Sequence, residues 1–153
     1  MDYSIELQKV FNQLGEAGII VLATSSEDIP AARSMSYVLK DGKIYFQTES
    51  DFEKALQMKQ NPNVALCQSN IAIKGTAISR GRVMSEANTS VMDLYKKWHR
   101  GSYDAYSHME KAELYEVTPT FITLWIYKEG EPHRMFFDCN CNKVWMEQYD
   151  HSK

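Results

Sequence analysis

The chain has 153 residues, enough for one domain and too few for two ordinary ones. With 44% hydrophobic and 24% charged residues, 7 Gly and 4 Pro, its composition is globular and excludes a disordered or collagen-like chain. Seventeen basic against 20 acidic residues leave a net charge of −3, which argues against broad nucleic-acid binding.

Leu7, Val10, Phe11 and Leu14 recur at helical spacing and predict a helix with one apolar face, capped by Ser4 and stopped by Gly15 or Gly18. Residues 18–24 form a β-branched run that reads as a buried strand. Ile29-Pro30 reads as a turn and residues 32–39 as a second strand. Asp41-Gly42 between two β-like runs predicts a tight hairpin, because glycine accepts the positive φ such turns need; residues 43–48 are the returning strand. A helix over 51–60 carries Phe52, Ala55, Leu56 and Lys59 at helical spacing, capped by Ser50 or Asp51 and ended by Asn61-Pro62-Asn63. Strands over 64–69 and 71–84 precede a helix over 87–99 with Val91, Leu94, Tyr95 and Trp98 on one side. Residues 112–117 and 121–127 read as strands divided by Thr118-Pro119, with a short strand over 134–138. The polar tail from about residue 140 is of undetermined order. The fold class is mainly β (α+β): a barrel or closed meander of six or seven mostly antiparallel strands with flanking helices, one domain over 1–153.

Several chemistries lack their residues. There is no glycine-rich dinucleotide fingerprint, no phosphate-loop motif and no paired Cys-x-x-Cys. His99, His108, His133 and His151 have no metal-ligand spacing, and Cys139-Asn140-Cys141 reads as part of an inert tail. No apolar run approaches the ~20 residues of a membrane span. No basic-then-apolar leader opens the chain, and three cysteines is an odd count, so free thiols in the cytoplasm are expected.

What remains is polar and basic. Arg33, Ser34 and Ser36 lie on the second strand, Gln47, Thr48 and Ser50 at the end of the third, and Lys54 one turn into the following helix. The Asp41-Gly42 hairpin makes the two strands neighbours, so Arg33 to Ser36 are expected to approach Gln47 and Thr48 across the pair. A helix start beside an Arg fork and a Lys charge favours an anion, in particular a phosphate. The alternative is a solvated barrel rim.

Three stretches, Val21-Leu22-Ala23-Thr24, Pro30-Ala31-Ala32-Arg33-Ser34-Met35 and Asp41 through Thr48, resemble the pyridoxamine 5′-phosphate oxidase-like family. Lys54, Asn61-Pro62-Asn63-Val64-Ala65-Leu66 and Ile73-Lys74-Gly75-Thr76-Ala77 continue the likeness in order. The resemblance implies a split barrel that dimerises with FMN between subunits. By position, Arg33 and Lys54 would hold the FMN phosphate, with Thr48 at the phosphate and ribityl chain. Ser34, Met35 and Ser36 would run beneath the isoalloxazine and Gln47 would border it. Asn70 would face the ring, and Trp125 would close the site, with Arg134 a weaker candidate. Gln47 stands where the oxidase typically has a tyrosine, and Glu53 where it has an extra arginine. The oxidase's substrate-binding arginine and histidine pair is not found, and the chain is shorter, so the likeness is to the short general-stress-protein or nitroimidazole-resistance type.

The reading is an FMN-binding oxidoreductase, a homodimer acting on a small molecule, with no catalytic residue, metal, membrane or nucleic-acid partner assigned. The alternatives are a non-catalytic FMN carrier or sensor, a haem-binding split barrel, and a small barrel that binds single strands through aromatics and basic residues.

Overall fold

The computed structural model describes residues 1–150 and 152, so His151 and Lys153 lie outside the described residues. α1 (Tyr3–Leu14) begins where the Asp2 carboxylate accepts the Ile5 N–H at 3.0 Å. Asp2, not Ser4, is therefore the cap, and Ser4 lies inside the first turn. β1 (Ala17–Ser26), β2 (Ile29–Lys40) and β3 (Lys43–Glu49) follow, then α2 (Glu53–Gln60), β4 (Asn63–Gln68) and β5 (Ile71–Arg82). A short 3-10 turn at Glu86–Asn88 leads into α3 (Thr89–Trp98) and α4 (Arg100–Tyr106). The chain finishes with β6 (Ala112–Lys128), β7 (Glu131–Asp138) and β8 (Lys143–Gln148). Among the described residues no helix is long and apolar enough to cross a membrane.

All strand pairs are antiparallel, in the order β3-β2-β1-β4-β5-β6-β7-β8. A further β3–β6 pairing closes the first six into a barrel, and β7 and β8 extend beyond it. The architecture is the mainly β barrel with flanking helices that the sequence predicted. Strand periodicity fills it: along β5, Ile71, Ile73, Gly75 and Ala77 point in while their neighbours point out. Ile20, Leu22, Ile44, Phe46, Leu66 and Phe137 complete the interior, and α1 covers it with Val10 and Leu14. A second core, with Val38, Tyr45 and Leu114, lies where Val91, Met92 and Tyr95 of α3 pack on the barrel.

The turns show which local signals were strong. Asp41 and Gly42 have φ of 51° and 75° between the paired Lys40 and Lys43, the two-residue hairpin expected. The preceding turn is not at Ile29-Pro30 but at Glu27-Asp28, with φ of 52° and 64°; Ile29 and Pro30 open β2. Pro30 is tolerated there because it sits at a strand start with an unpaired outer edge. Thr118-Pro119 does not break β6 either, which runs 17 residues without interruption. On one edge β6 pairs with β3 as far as Val117 and with β7 from Phe121 on, and on the other the register to β5 shifts between Lys74 and Gly75. Pro119 falls in that changeover, where its missing N–H costs little. The tail is also ordered, because β8 pairs with β7 from Lys143 to Gln148.

One consequence positions the site. β2 pairs with β1 along its whole upstream length but with β3 only from Val38 to Lys40. On its other edge β3 pairs with β6, Ile44 to Glu49 against Val117 to Ala112, and past Tyr45 that is its one paired edge among the described residues. The barrel is therefore split: Ser34 to Ser36 face Gln47 and Thr48 across a gap, not across the expected ladder, and Arg33 lies outside it.

The β5–β6 contact is closest at Gly75, where an added Cβ would stand 2.7 Å from Val117 Cγ1 and 2.8 Å from the Thr118 carbonyl oxygen. Backbone cannot yield cheaply, so Gly75→Ala is expected to cost about 1–3 kcal/mol, read as a lower urea midpoint at unchanged slope. A midpoint equal to the parent's would show that the strands do not meet this closely.

Candidate active site

A cavity of about 320 Å³ occupies the gap between β2 and β3, a size suited to a small ligand. Ser34, Met35 and Ser36 of β2 form one wall and Gln47, Thr48 and Glu49 of β3 another. Phe52 and Lys54, at the start of α2, form the end, with Tyr95, Ser102, Tyr106 and Ala112 opposite. Six of the nine predicted residues thus meet in one place; Arg33, Asn70 and Trp125 do not line it.

Each wall has a local cause. Along β2, alternate backbone N–H and C=O groups point away from β1, and no strand meets them upstream of Val38. On β3, Gln47 is buried and fully engaged. Its amide oxygen accepts from Ser107 Oγ at 2.7 Å, and its Nε2 donates to Ser102 Oγ at 3.3 Å. Ser102 in turn bonds Tyr95 OH at 2.8 Å. Gln47 therefore fastens α4 to the barrel as well as bordering the cavity. Thr48 is buried, and its hydroxyl makes one long bond, 3.3 Å, to the Glu49 carbonyl.

The end wall is electropositive. Phe52 is the N-cap of α2 and supplies no side-chain bond. The expected caps are diverted: the Asp51 carboxylate takes Lys111 Nζ at 2.9 Å, and the Ser50 N–H bonds the Lys111 carbonyl. The first-turn N–H groups of α2 are left without a capping side chain, which favours an anion. Lys54 Nζ lies 4.9 Å from the Phe52 ring centre, and no carboxylate among the described residues pairs with it. Burial and then the nearby Arg33 charge push the Lys54 pKa down, against a smaller opposing pull from Glu49.

Arg33 stands beside Lys54 in a second layer. Its Nη1 donates to Thr24 Oγ1 at 2.8 Å and its Nη2 lies 3.6 Å from the exposed Glu53 carboxylate. Burial lowers the Arg33 pKa, and Glu53 partly opposes that. Two partly buried cations thus stand near each other, and only Arg33 is ion-paired, to a solvent-screened carboxylate.

Asn70 and Trp125 form a separate corner at the β4–β5 turn. Asn70 accepts from Gln13 Nε2 at 2.7 Å and donates to the Trp125 carbonyl at 2.9 Å. The Trp125 ring packs 5.5 Å from Tyr149 and is 36% exposed, with Arg134 opposite it in register. Glu49, Phe52, Tyr95, Ser102, Tyr106 and Ala112 are the lining residues sequence reasoning missed. Tyr95 showed only as a core position, and α4, with Gly101, Ser102 and Asp104 and no buried residue, offered no apolar period.

The surroundings of Cys139 and Cys141 favour the thiol over the thiolate. Burial raises the Cys139 pKa, and the Asp138 carboxylate raises that of Cys141. No cluster of three or more His, Cys, Asp or Glu suited to a metal occurs among the described residues.

The chain shares its fold with solved structures and matches one family model. No curated protein sequence matches the chain. General stress protein 26 from Bacillus anthracis superposes with a TM-score of 0.58 at 20% identity, over 78% of this chain and 92% of that one. A pyridoxamine 5′-phosphate oxidase-related, FMN-binding protein from Nostoc punctiforme gives 0.61 at 13% identity, over 96% and 95%. HutZ, the haem storage protein of Vibrio cholerae, gives 0.61 at 16%, over 78% and 91%. At these identities the likeness is one of fold. The family described as pyridoxamine 5′-phosphate oxidase matches residues 7–126, which takes in the barrel from α1 through most of β6, and the chain belongs to that family.

Proposed function

We propose that the protein binds FMN, as a homodimer, and passes electrons through it to a small substrate. The observation that carries this reading is the end wall: Lys54 without a carboxylate partner and an uncapped helix start at one end of a cavity, with the Arg33 charge near Lys54 but outside the lining. That arrangement suits the phosphate that distinguishes FMN from riboflavin. The open edge of β2 offers backbone donors and acceptors to the polar rim of a flat ring, and Thr48 supplies a hydroxyl between ring and phosphate. When bound, the flavin supplies the redox chemistry, and the protein holds and shields it.

The dimer is supported by the outer sheet face. Val21 lies opposite Ser34 on one side and Cys67 on the other; the row continues through Ala72, Thr123 and Phe136 to Trp145. Ile19 is 56% and Val21 40% exposed, so this apolar row begins at the cavity wall and lies open in one chain. Asn70 and Trp125 are outside the cavity of their own chain, and a second copy seated on this face is the way for them to serve a shared site.

Apo-protein is expected to bind FMN more tightly than riboflavin, with flavin bands in the visible spectrum. Lys54→Ala and Arg33→Ala should each weaken FMN binding by roughly ten- to a hundredfold, with riboflavin binding much less affected. Glu53→Ala should leave FMN affinity unchanged or raise it. Equal affinity of the parent for FMN and riboflavin would refute the phosphate assignment. Light scattering at micromolar concentration should give the mass of a dimer; a monomer with FMN bound would refute the shared site. Stopped-flow reduction of the bound flavin by a nicotinamide cofactor is expected, and its absence would make the protein a carrier or sensor. A Soret band with haem and no flavin binding would move the reading to haem.

A further inference from the structure

Behind the cavity, α2 and β2 are joined through β1 by hydrogen bonds whose direction is fixed at one end. Gln57, buried on α2, donates from Nε2 to the Ile29 carbonyl at 3.1 Å. Its amide oxygen therefore faces Thr24, 2.5 Å away. An amide oxygen can only accept, so the Thr24 hydroxyl must direct its single proton there. Thr24 is 2% exposed, so what remains, its lone pairs, is closed to bulk solvent. Arg33 Nη1 donates into them at 2.8 Å, with longer contacts to the Leu22 and Ala31 carbonyls at 3.3 and 3.4 Å. Thr24 and Gln57 each have one available role, and Arg33 is bound through one of its two equivalent terminal nitrogens. Nη1 is held inward, and Nη2 is left facing Glu53 and the start of α2.

Gln57 and Lys54 are three residues apart on α2, so the helix that presents one cation also orients the other. We infer that Thr24 and Gln57 are positioning residues that aim Arg33 beside Lys54 and thereby set the preference for a phosphorylated ligand. This rests on the FMN reading above. A guanidinium already held in place loses little rotamer freedom when an anion arrives, so its orientation is not charged against binding.

The test uses Thr24→Val, which keeps the volume and removes both hydrogen-bonding roles, and Thr24→Ser, which keeps them. Thr24→Val is expected to raise the FMN dissociation constant about tenfold while leaving that of riboflavin unchanged, and Thr24→Ser should keep the parent's ratio of the two. Gln57→Leu, which cannot accept the Thr24 proton, should shift the ratio in the same direction by about threefold, and stands in if Thr24→Val does not fold. A merely structural role would weaken both ligands together, and an unchanged ratio in folded Thr24→Val or Gln57→Leu overturns the inference. In ligand-free protein, the Arg33 guanidinium nitrogens, assigned by their loss in Arg33→Lys, should give distinct NMR signals in the parent and averaged ones in Thr24→Val. Averaged signals in both would overturn the positioning role. A parent with no preference for FMN defeats the phosphate reading and the ligand preference drawn from it, whereas the guanidinium signals still decide whether Thr24 holds Arg33.

Discussion

Everything at the site depends on where β2 and β3 part. They share three ladder pairs, and then β3 takes six with β6. Closing the barrel through β6 satisfies β3 on that edge but leaves the upstream half of β2 with one edge unpaired. Backbone N–H and C=O groups left without partners are costly if buried and adhesive if exposed. The cavity is the space that results. Its strand wall is rigid because β1 holds the other edge of β2 throughout.

The electrostatics follow from the same separation. Lys54 comes from α2 and Arg33 from β2, and a closed barrel would have set them against a continuous strand. Here they stand together, partly desolvated, and each loses some preference for its charged form through burial. The carboxylate paired with Arg33, Glu53, is mostly in solvent and therefore a weak partner. Holding two charges close together and partly buried is a cost that the fold bears. The buried Thr24–Gln57 pair explains how the protein sustains it, since the orientation of Arg33 is fixed by groups that water does not reach.

The outer face extends the argument beyond one chain. Ser34 belongs both to the cavity wall and to a cross-strand row that becomes apolar at Val21 and ends in the Phe121, Phe136 and Trp145 ring cluster. Asn70 and Trp125, bonded to each other at the β4–β5 turn, lie beyond the reach of the cavity walls described above. The residues that the family resemblance groups together are thus two clusters within one chain.

Local chemistry was sufficient for much of this. Asp41-Gly42 determined its hairpin because two consecutive positive φ values leave few alternatives to a short polar pair ending in glycine. The α1 apolar spacing and the β5 alternation likewise follow from the periods of helix and strand. Arg33, Lys54 and the hydroxyls around them were legible because charge at a helix start is a short-range signal. Ordered likeness to a family, not periodicity, added Asn70 and Trp125. Tertiary structure alone decided the rest. Pro119 was tolerated because β6 changes partners there, and β8 formed because β7 offered it an edge. α4 exists because Gln47 binds Ser102 and Ser107 across about 55 to 60 residues of chain. In each case the stabilising partner is remote in sequence, and the free energy of a contact between distant residues has no trace in the local pattern of either one.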